Sequence, residues 1–142
     1  MPSLGEISLF VRALPLARVA QAVKTTRLPE VVERLGARRG GVSVEAAVRA
    51  AQRACGRWAR WFGGLDTCLT RSLVAGALLA GDHEVVLHVG FRPTEQGAAA
   101  VDGHAWLVVD GEVVELTGLD HEHEAPYETT LALPMKARHR KL

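Results

Sequence analysis

The sequence contains few cysteines and no long run of uncharged apolar residues. Its 142 residues include two cysteines, Cys55 and Cys68, and a single pair is too few for a disulfide framework. We therefore expect two free thiols in a reducing cytoplasm. No stretch approaches the roughly 18 apolar residues of a transmembrane helix. Because CxxC and Cys/His zinc spacings are also missing, the sequence predicts neither a membrane span nor a metal site.

The charge distribution excludes further classes of protein. The formal net charge is +1, with 48% apolar and 23% charged residues, an ordinary balance for a globular protein. These totals give no indication of binding to nucleic acid or to an acidic membrane surface. Near the start, Glu6 precedes the first apolar stretch, and Arg12 and Arg18 interrupt it. A signal peptide has the opposite arrangement, so we expect none.

The length and the apolar pattern predict one compact domain that begins with helices. We expect a helical segment over residues 1–40, followed by the main part of the domain over residues 41–142. Apolar residues between positions 4 and 23 recur at helical spacing, which Pro15 breaks into two pieces. A longer helix is predicted to begin at the N-cap Ser43 and to stop at Gly63. Cys55 lies on its apolar stripe, which indicates a buried structural thiol.

The second half of the chain changes from helical to extended patterns. An almost wholly apolar helix is predicted from Asp66 or Thr67 to Gly81. Residues 83–91 then alternate as a strand does, and Asp110–Gly111 between two apolar runs is a strong hairpin signal. A last strand is expected over residues 129–133. Helices followed by an antiparallel sheet predict the α+β class.

Cys68 has a physical reason to be reactive. It lies in the first turn of the apolar helix, where unpaired N–H groups and the helix dipole favour a thiolate. Its own N–H group can also help to form an oxyanion hole. Cys55, in the middle of the preceding helix, has neither advantage.

A thiolate nucleophile needs a proton-transferring partner, and six histidines compete for that role. We expect His104 to open a strand after a glycine-containing loop, at the edge of the sheet. His88 is interpreted as a structural residue in mid-strand. His121 and His123 lie in a polar loop, where chance composition or a loose metal patch explains them as well as catalysis does.

Two segments carry a resemblance to a known family. Residues 67–81, TCLTRSLVAGALLAG, and residues 103–114, GHAWLVVDGEVV, resemble the leader peptidases of lasso-peptide biosynthesis over roughly residues 40–115. That family pattern is a helix that opens C-L-x-R-[SA]-L and a later hairpin H-A-W-[VL]-x-[VL]-D-G. The resemblance implies a transglutaminase-like, papain-related fold, with Cys68 as the nucleophile and His104 as the base.

The third catalytic residue departs from the family pattern. The family's usual Asp corresponds here to Leu116. If Asp110–Gly111 forms a two-residue turn, Glu115 lies across from Trp106 and shares a face with His104. Glu115 is therefore the predicted orienting acid, with Asp120 as the alternative.

Two other residues near this pair are candidates for binding substrate. Arg71, three positions after Cys68, is expected either to pair with a core carboxylate or to hold a substrate carboxylate. Trp106 is expected either to line the substrate groove or to pack in the core.

The resemblance implies a peptidase that removes the leader from a ribosomally made precursor peptide without a cofactor. The implied partners are that precursor, a separate leader-binding protein, and a separate ATP-dependent cyclase. The N-terminal helices are candidates for the protein contact, with a membrane surface as the lesser option. Two alternatives stay open: a weakened binding or scaffold module with the same fold, and an acyltransferase of the same fold.

Overall fold

The structure is a computed structural model that describes residues 4–24, 27–35, 41–64, 66–93, 101–116 and 128–135. Within these ranges, four α-helices precede four strands. The helices are α1 (Leu4–Ala20), α2 (Leu28–Leu35), α3 (Val44–Phe62) and α4 (Cys68–Leu79), and a short 3₁₀ helix, Gln21–Lys24, follows α1. The strands are β1 (Val85–Pro93), β2 (Val101–Val109), β3 (Glu112–Val114) and β4 (Glu128–Met135). This order confirms the predicted α+β class.

Helix α1 runs through Pro15 without a break, so the prediction of two helical pieces was wrong. A proline inside a helix removes one hydrogen bond and costs roughly 3 kcal/mol. Here the cost is offset because α1 buries one whole face against α3 and α4. That face consists of Leu9, Ala13, Leu16, Ala17 and Ala20, which belong to the same hydrophobic core as α4 and the sheet. The division of one compact domain into a helical segment over residues 1–40 and a main part over residues 41–142 stays a prediction.

Helix α3 begins and ends where the sequence predicted. The Ser43 side chain accepts a hydrogen bond from the Ala46 N–H at 3.2 Å, and Gly63 ends the helix in the left-handed conformation with φ of 66°. The Gly63 N–H then donates to the Ala59 carbonyl at 2.9 Å. The buried face of α3 is formed mostly by alanines, and small side chains let α1 and α4 approach closely.

The four strands form one antiparallel sheet in the order β3-β2-β1-β4. The hairpin between β2 and β3 has the predicted register, since Val109 pairs with Glu112. Its two turn residues, Asp110 and Gly111, have φ values of 51° and 85°. Positive φ at both positions is typical of the type I′ turn that aspartate-glycine favours.

Helix α4 lies between the sheet and the helices α1 and α3, which explains why its residues are apolar on nearly every side. Gly76 permits the close approach to the sheet. A Cβ atom at that position would collide with the Met135 sulfur and would lie 3.3 Å from the Leu107 side chain. Among the described residues, no helix has the length and hydropathy that a membrane span requires.

Candidate active site

The start of α4 is fixed at Cys68 by a capping box. Thr67 is the N-cap, and its side-chain oxygen accepts from the Thr70 N–H at 3.2 Å. In return the Thr70 hydroxyl accepts from the Thr67 N–H at 2.9 Å. This arrangement leaves the N–H groups of Cys68 and Leu69 without acceptors inside the helix. The Cys68 side chain therefore lies at the positive end of the α4 dipole.

The Cys68 sulfur contacts the part of β2 that β3 does not cover. Strand β3 pairs only with the segment from Leu107 to Val109. Earlier on β2, the Ala105 backbone N–H donates to the Cys68 Sγ at 3.3 Å. The sulfur thus accepts a hydrogen bond from the residue that immediately follows His104, and such a bond favours the anionic form of an acceptor.

His104 lies inside β2, so the prediction that it opens a strand was wrong. Among the described strands this part of β2 pairs only with β1, so His104 does lie at an edge of the sheet, as expected. Strand β2 begins at Val101, because β1 extends to Pro93 and pairs with it. His104 is paired with Gly90 of β1 and is only 7% exposed. On the other side of β1, the register with β4 shifts between Val89 and Gly90. Bulges of this kind are common beside active sites.

Glu115 contacts the His104 ring, as the predicted hairpin register requires. Its Oε2 atom lies 2.8 Å from the His104 Nε2. A carboxylate only accepts hydrogen bonds, so Nε2 carries the proton of this bond. Proton exchange with a thiol then falls to Nδ1. The Leu116 side chain is fully buried in the core, while the alternative acid Asp120 lies outside the described residues.

Trp106 restricts the imidazole from one side. Its ring stacks on the His104 ring with centroids 5.7 Å apart, and on the His88 ring with centroids 5.6 Å apart. The three rings therefore form a stack across β1 and β2 on one face of the sheet. Trp106 is half-buried, so both predicted roles, a groove wall and a packing residue, stay open. His88 lies in mid-strand as expected.

The Arg71 guanidinium pairs with a carboxylate, one of the two roles expected for it. Its Nε and Nη2 donate to the two Asp66 oxygens at 2.6 and 2.9 Å. Its Nη1 donates to the Leu116 carbonyl at 3.3 Å. The hydrogen bond to Asp66 is the largest cause of the raised pKa of Arg71, and an ionised Cys68 also contributes.

Most of the chain matches one known protein family. Residues 10–129 match a family described as the transglutaminase-like superfamily. The chain belongs to the transglutaminase-like superfamily. No curated protein and no solved structure gives a significant match to the chain.

Membership in the transglutaminase-like superfamily establishes the kind of protein. Its fold is the papain-like fold of cysteine peptidases and acyltransferases. The match begins inside α1 and ends inside β4, so it spans both segments that resemble leader peptidases. It says nothing specific about lasso peptides.

Cys55 differs from Cys68 in the way that the sequence predicted. Both are free thiols, and Cys55 is completely buried on α3. Burial raises the pKa of the Cys55 thiol to about 11, although a hydrogen bond with the Thr70 side chain acts in the opposite direction. The prediction of a buried thiol at Cys55 is confirmed, and the thiolate form is disfavoured there at neutral pH.

His83 pairs with a carboxylate outside this site. His83 contacts Asp110 at 2.6 Å, beside the hairpin turn, and His121 and His123 lie outside the described residues. Within the described ranges, no three His, Cys, Asp or Glu side chains gather as a metal site requires. The buried hydroxyl of Ser72, one turn after Cys68, is the one buried side-chain polar atom there without a hydrogen-bond partner.

Two residues near the site were not identified from the sequence. Gln52 of α3 donates its side-chain amide to the Leu116 carbonyl at 3.1 Å, and Asp66 was noted only as a helix start. The available signal for Asp66 was its spacing of five residues from Arg71. Gln52 gave no signal, because its partner is 64 residues away along the chain.

Proposed function

We propose that this protein is a cysteine peptidase that removes the leader from a ribosomally made precursor peptide. The proposal rests on a series of contacts that connects the Cys68 sulfur with the Glu115 carboxylate. The Cys68 Sγ contacts the backbone beside His104, and the His104 Nε2 is bonded to Glu115. An imidazole held by a carboxylate next to a helix-start thiol is the arrangement that nucleophilic cysteine catalysis needs.

The first half of the reaction forms a thioester. The Cys68 thiol gives its proton to the His104 Nδ1, and the thiolate attacks the carbonyl carbon of the scissile peptide bond. The C–N bond breaks, and the His104 imidazolium returns the proton to the leaving amine. Glu115 keeps the proton on Nε2 and stabilises the imidazolium. N–H groups at the start of α4 are suitable donors for the oxyanion.

The second half of the reaction releases the acyl group. Water attacks the thioester carbon while His104 takes one of its protons. The C–S bond breaks, the leader leaves as a carboxylic acid, and the Cys68 thiol is restored with that proton. Water is the only co-reactant, and no cofactor is involved in either half.

The narrower choice of a leader peptide as substrate rests on the two sequence segments. The two segments from Cys68 to Leu73 and from His104 to Gly111 resemble the corresponding motifs of lasso-peptide leader peptidases. The proposal includes the partners of that pathway: the precursor, a separate leader-binding protein and an ATP-dependent cyclase. It also includes a cytoplasmic location, where two free thiols stay reduced.

Acyl transfer is the second candidate, because the superfamily match supports it as well as it supports hydrolysis. The two reactions share the thioester and differ only in whether water or an amine attacks it. The third candidate, an inactive scaffold, depends on the replacement of the family's Asp by Leu116. The 2.8 Å contact between Glu115 and His104 argues against that reading, since it supplies the acid from the neighbouring position.

A cleavage assay tests the proposal. The protein is mixed with a candidate precursor and leader-binding protein in ¹⁸O-labelled water, and the products are weighed by mass spectrometry. We expect two fragments, with the label in the new carboxyl group, and retained activity in Cys55→Ala. Acyl transfer instead gives a fragment joined to an added amine. Cleavage that survives Cys68→Ala would reject the mechanism.

A further inference from the structure

The carbonyl of Leu116 is held by two side chains from two different helices. Gln52 of α3 donates its Nε2–H to this oxygen at 3.1 Å, and Arg71 of α4 donates its Nη1–H at 3.3 Å. The Leu116 side chain is itself fully buried. Leu116 is therefore held both by its carbonyl and by its side chain. We call the two hydrogen bonds to the carbonyl, from Gln52 and Arg71, the Leu116 clamp.

The residue that needs such support is Glu115. The ladder between β2 and β3 ends at the pair Leu107 and Val114, so strand pairing does not hold the Glu115 backbone. Its side chain is 39% exposed, and a glutamate has three rotatable side-chain bonds to restrain. The Leu116 clamp fixes the backbone one residue later. The Glu115 carboxylate is thereby kept within 2.8 Å of His104.

The same clamp is tied to the start of the nucleophile helix. Arg71 is oriented by two bonds to Asp66, and both side chains are only 24% exposed. Asp66 lies two residues before Cys68. A planar guanidinium held in this way has little freedom, so its third nitrogen points in a defined direction. Movement of Leu116 relative to the start of α4 would break these bonds.

We propose that Gln52 and Arg71 are positioning residues that set Glu115 against His104 through the Leu116 carbonyl. The inference rests on the proposed function, because it matters to catalysis only if His104 and Glu115 activate Cys68. The two positioning residues donate their hydrogen bonds to the Leu116 carbonyl and to Asp66, and not to the reacting atoms. They act through the backbone, and their loss weakens the orienting acid without removing it.

The test measures how fast iodoacetamide alkylates Cys68 as a function of pH. All proteins carry Cys55→Ala, so that Cys68 is the sole thiol. Glu115→Gln removes the carboxylate that stabilises the His104 imidazolium. The pH at which the Cys68 alkylation rate begins to rise is therefore expected to increase. Gln52→Met is expected to move it in the same direction, with a roughly three- to tenfold slower rate at neutral pH, as for one lost hydrogen bond.

A double variant separates positioning from a general structural effect. If Gln52 acts through Glu115, Gln52→Met adds little to Glu115→Gln, because coupled residues are not additive. The control is Arg49→Met, one turn earlier on α3, whose side chain faces Glu6 at 3.8 Å. It should leave the profile unchanged. Arg71→Lys, which keeps the charge opposite Asp66, is the second test variant if Gln52→Met proves unstable on thermal melting.

The possible failures are distinguishable. An unchanged profile in both Gln52→Met and Arg71→Lys, with a shifted one in Glu115→Gln, overturns the positioning role and leaves the proposed function standing. The positioning role is also overturned if the effects of Gln52→Met and Glu115→Gln add fully in the double variant. If Glu115→Gln and His104→Ala both react like the parent protein, the proposed function itself fails and the inference fails with it.

Discussion

Cys55 and Cys68 lie on adjacent helices of the same core, and their surroundings are opposite. Cys55 is in the middle of α3, completely buried, and burial raises the pKa of its thiol to about 11. Cys68 is half-buried at the first position of α4, where its sulfur meets the Ala105 N–H. The residue type is the same, so position along the helix and contact with β2 account for the difference. Substitutions at and near the two thiols can test that contrast.

Replacement of His104 should remove most of the difference between the two thiols. In His104→Ala we expect the alkylation of Cys68 at neutral pH to slow by up to about 30-fold, because an ordinary thiol is only about 3% ionised at pH 7. Cys55 should react as slowly as before. The measurement is mass spectrometry of the two cysteine peptides after timed labelling. An undiminished Cys68 rate would show that His104 has no part in activation.

Replacement of Glu115 should have a smaller effect on the same rate. Glu115→Gln keeps the size of the side chain but removes the charge that stabilises the imidazolium, and we expect roughly a tenfold loss. Glu112→Gln is the matched control, because that residue lies on β3 next to the turn, three positions before Glu115. Equal losses in the two variants would contradict a specific role for Glu115.

The buried thiol should matter for stability and not for reactivity. Cys55→Ala is expected to lower the free energy of unfolding by about 1 kcal/mol, since a small buried group is lost from a tightly packed site. The rate of labelling at Cys68 should stay the same. Chemical denaturation and the labelling assay measure the two quantities. A large fall in Cys68 reactivity would mean that Cys55 is part of the site.

The smallest effect is expected on thermal stability, when the pair formed by His83 and Asp110 is removed. Asp110 raises the pKa of His83, and His83 lowers the pKa of Asp110. The stabilisation is therefore present while Asp110 is ionised and His83 is protonated, and it is lost as pH rises through the raised His83 pKa. Thermal melting of His83→Gln should differ slightly from the parent protein in mildly acidic buffer and should match it in alkaline buffer. A constant difference across pH would disprove an ionic contribution.

The parts of the structure that the sequence predicted well have local causes. Ser43 and Gly63 bound α3, and Asp110–Gly111 set the hairpin register from which Glu115 was deduced. The predictions that failed depend on distant partners. Pro15 is tolerated because of packing against α3 and α4, and β2 starts early because β1 extends to Pro93.

The same distinction applies to the candidate site. Cys68 and its helix start can be predicted because capping depends on residues three or four apart. The Leu116 clamp cannot, because it joins Gln52 and Arg71 to a residue on the other side of the domain. Neither the spacing nor the composition of the chain indicates which backbone carbonyl a side chain will meet.

The central claim is that Cys68 is activated and Cys55 is not, and the pH dependence of alkylation tests it most directly. The native protein is labelled with iodoacetamide across a pH series, and each cysteine peptide is quantified. We predict that Cys68 keeps a high rate well below the ordinary thiol pKa, while Cys55 stays nearly unreactive. If Cys68 instead loses about tenfold in rate for each pH unit below that value, as an ordinary exposed thiol does, the account is contradicted.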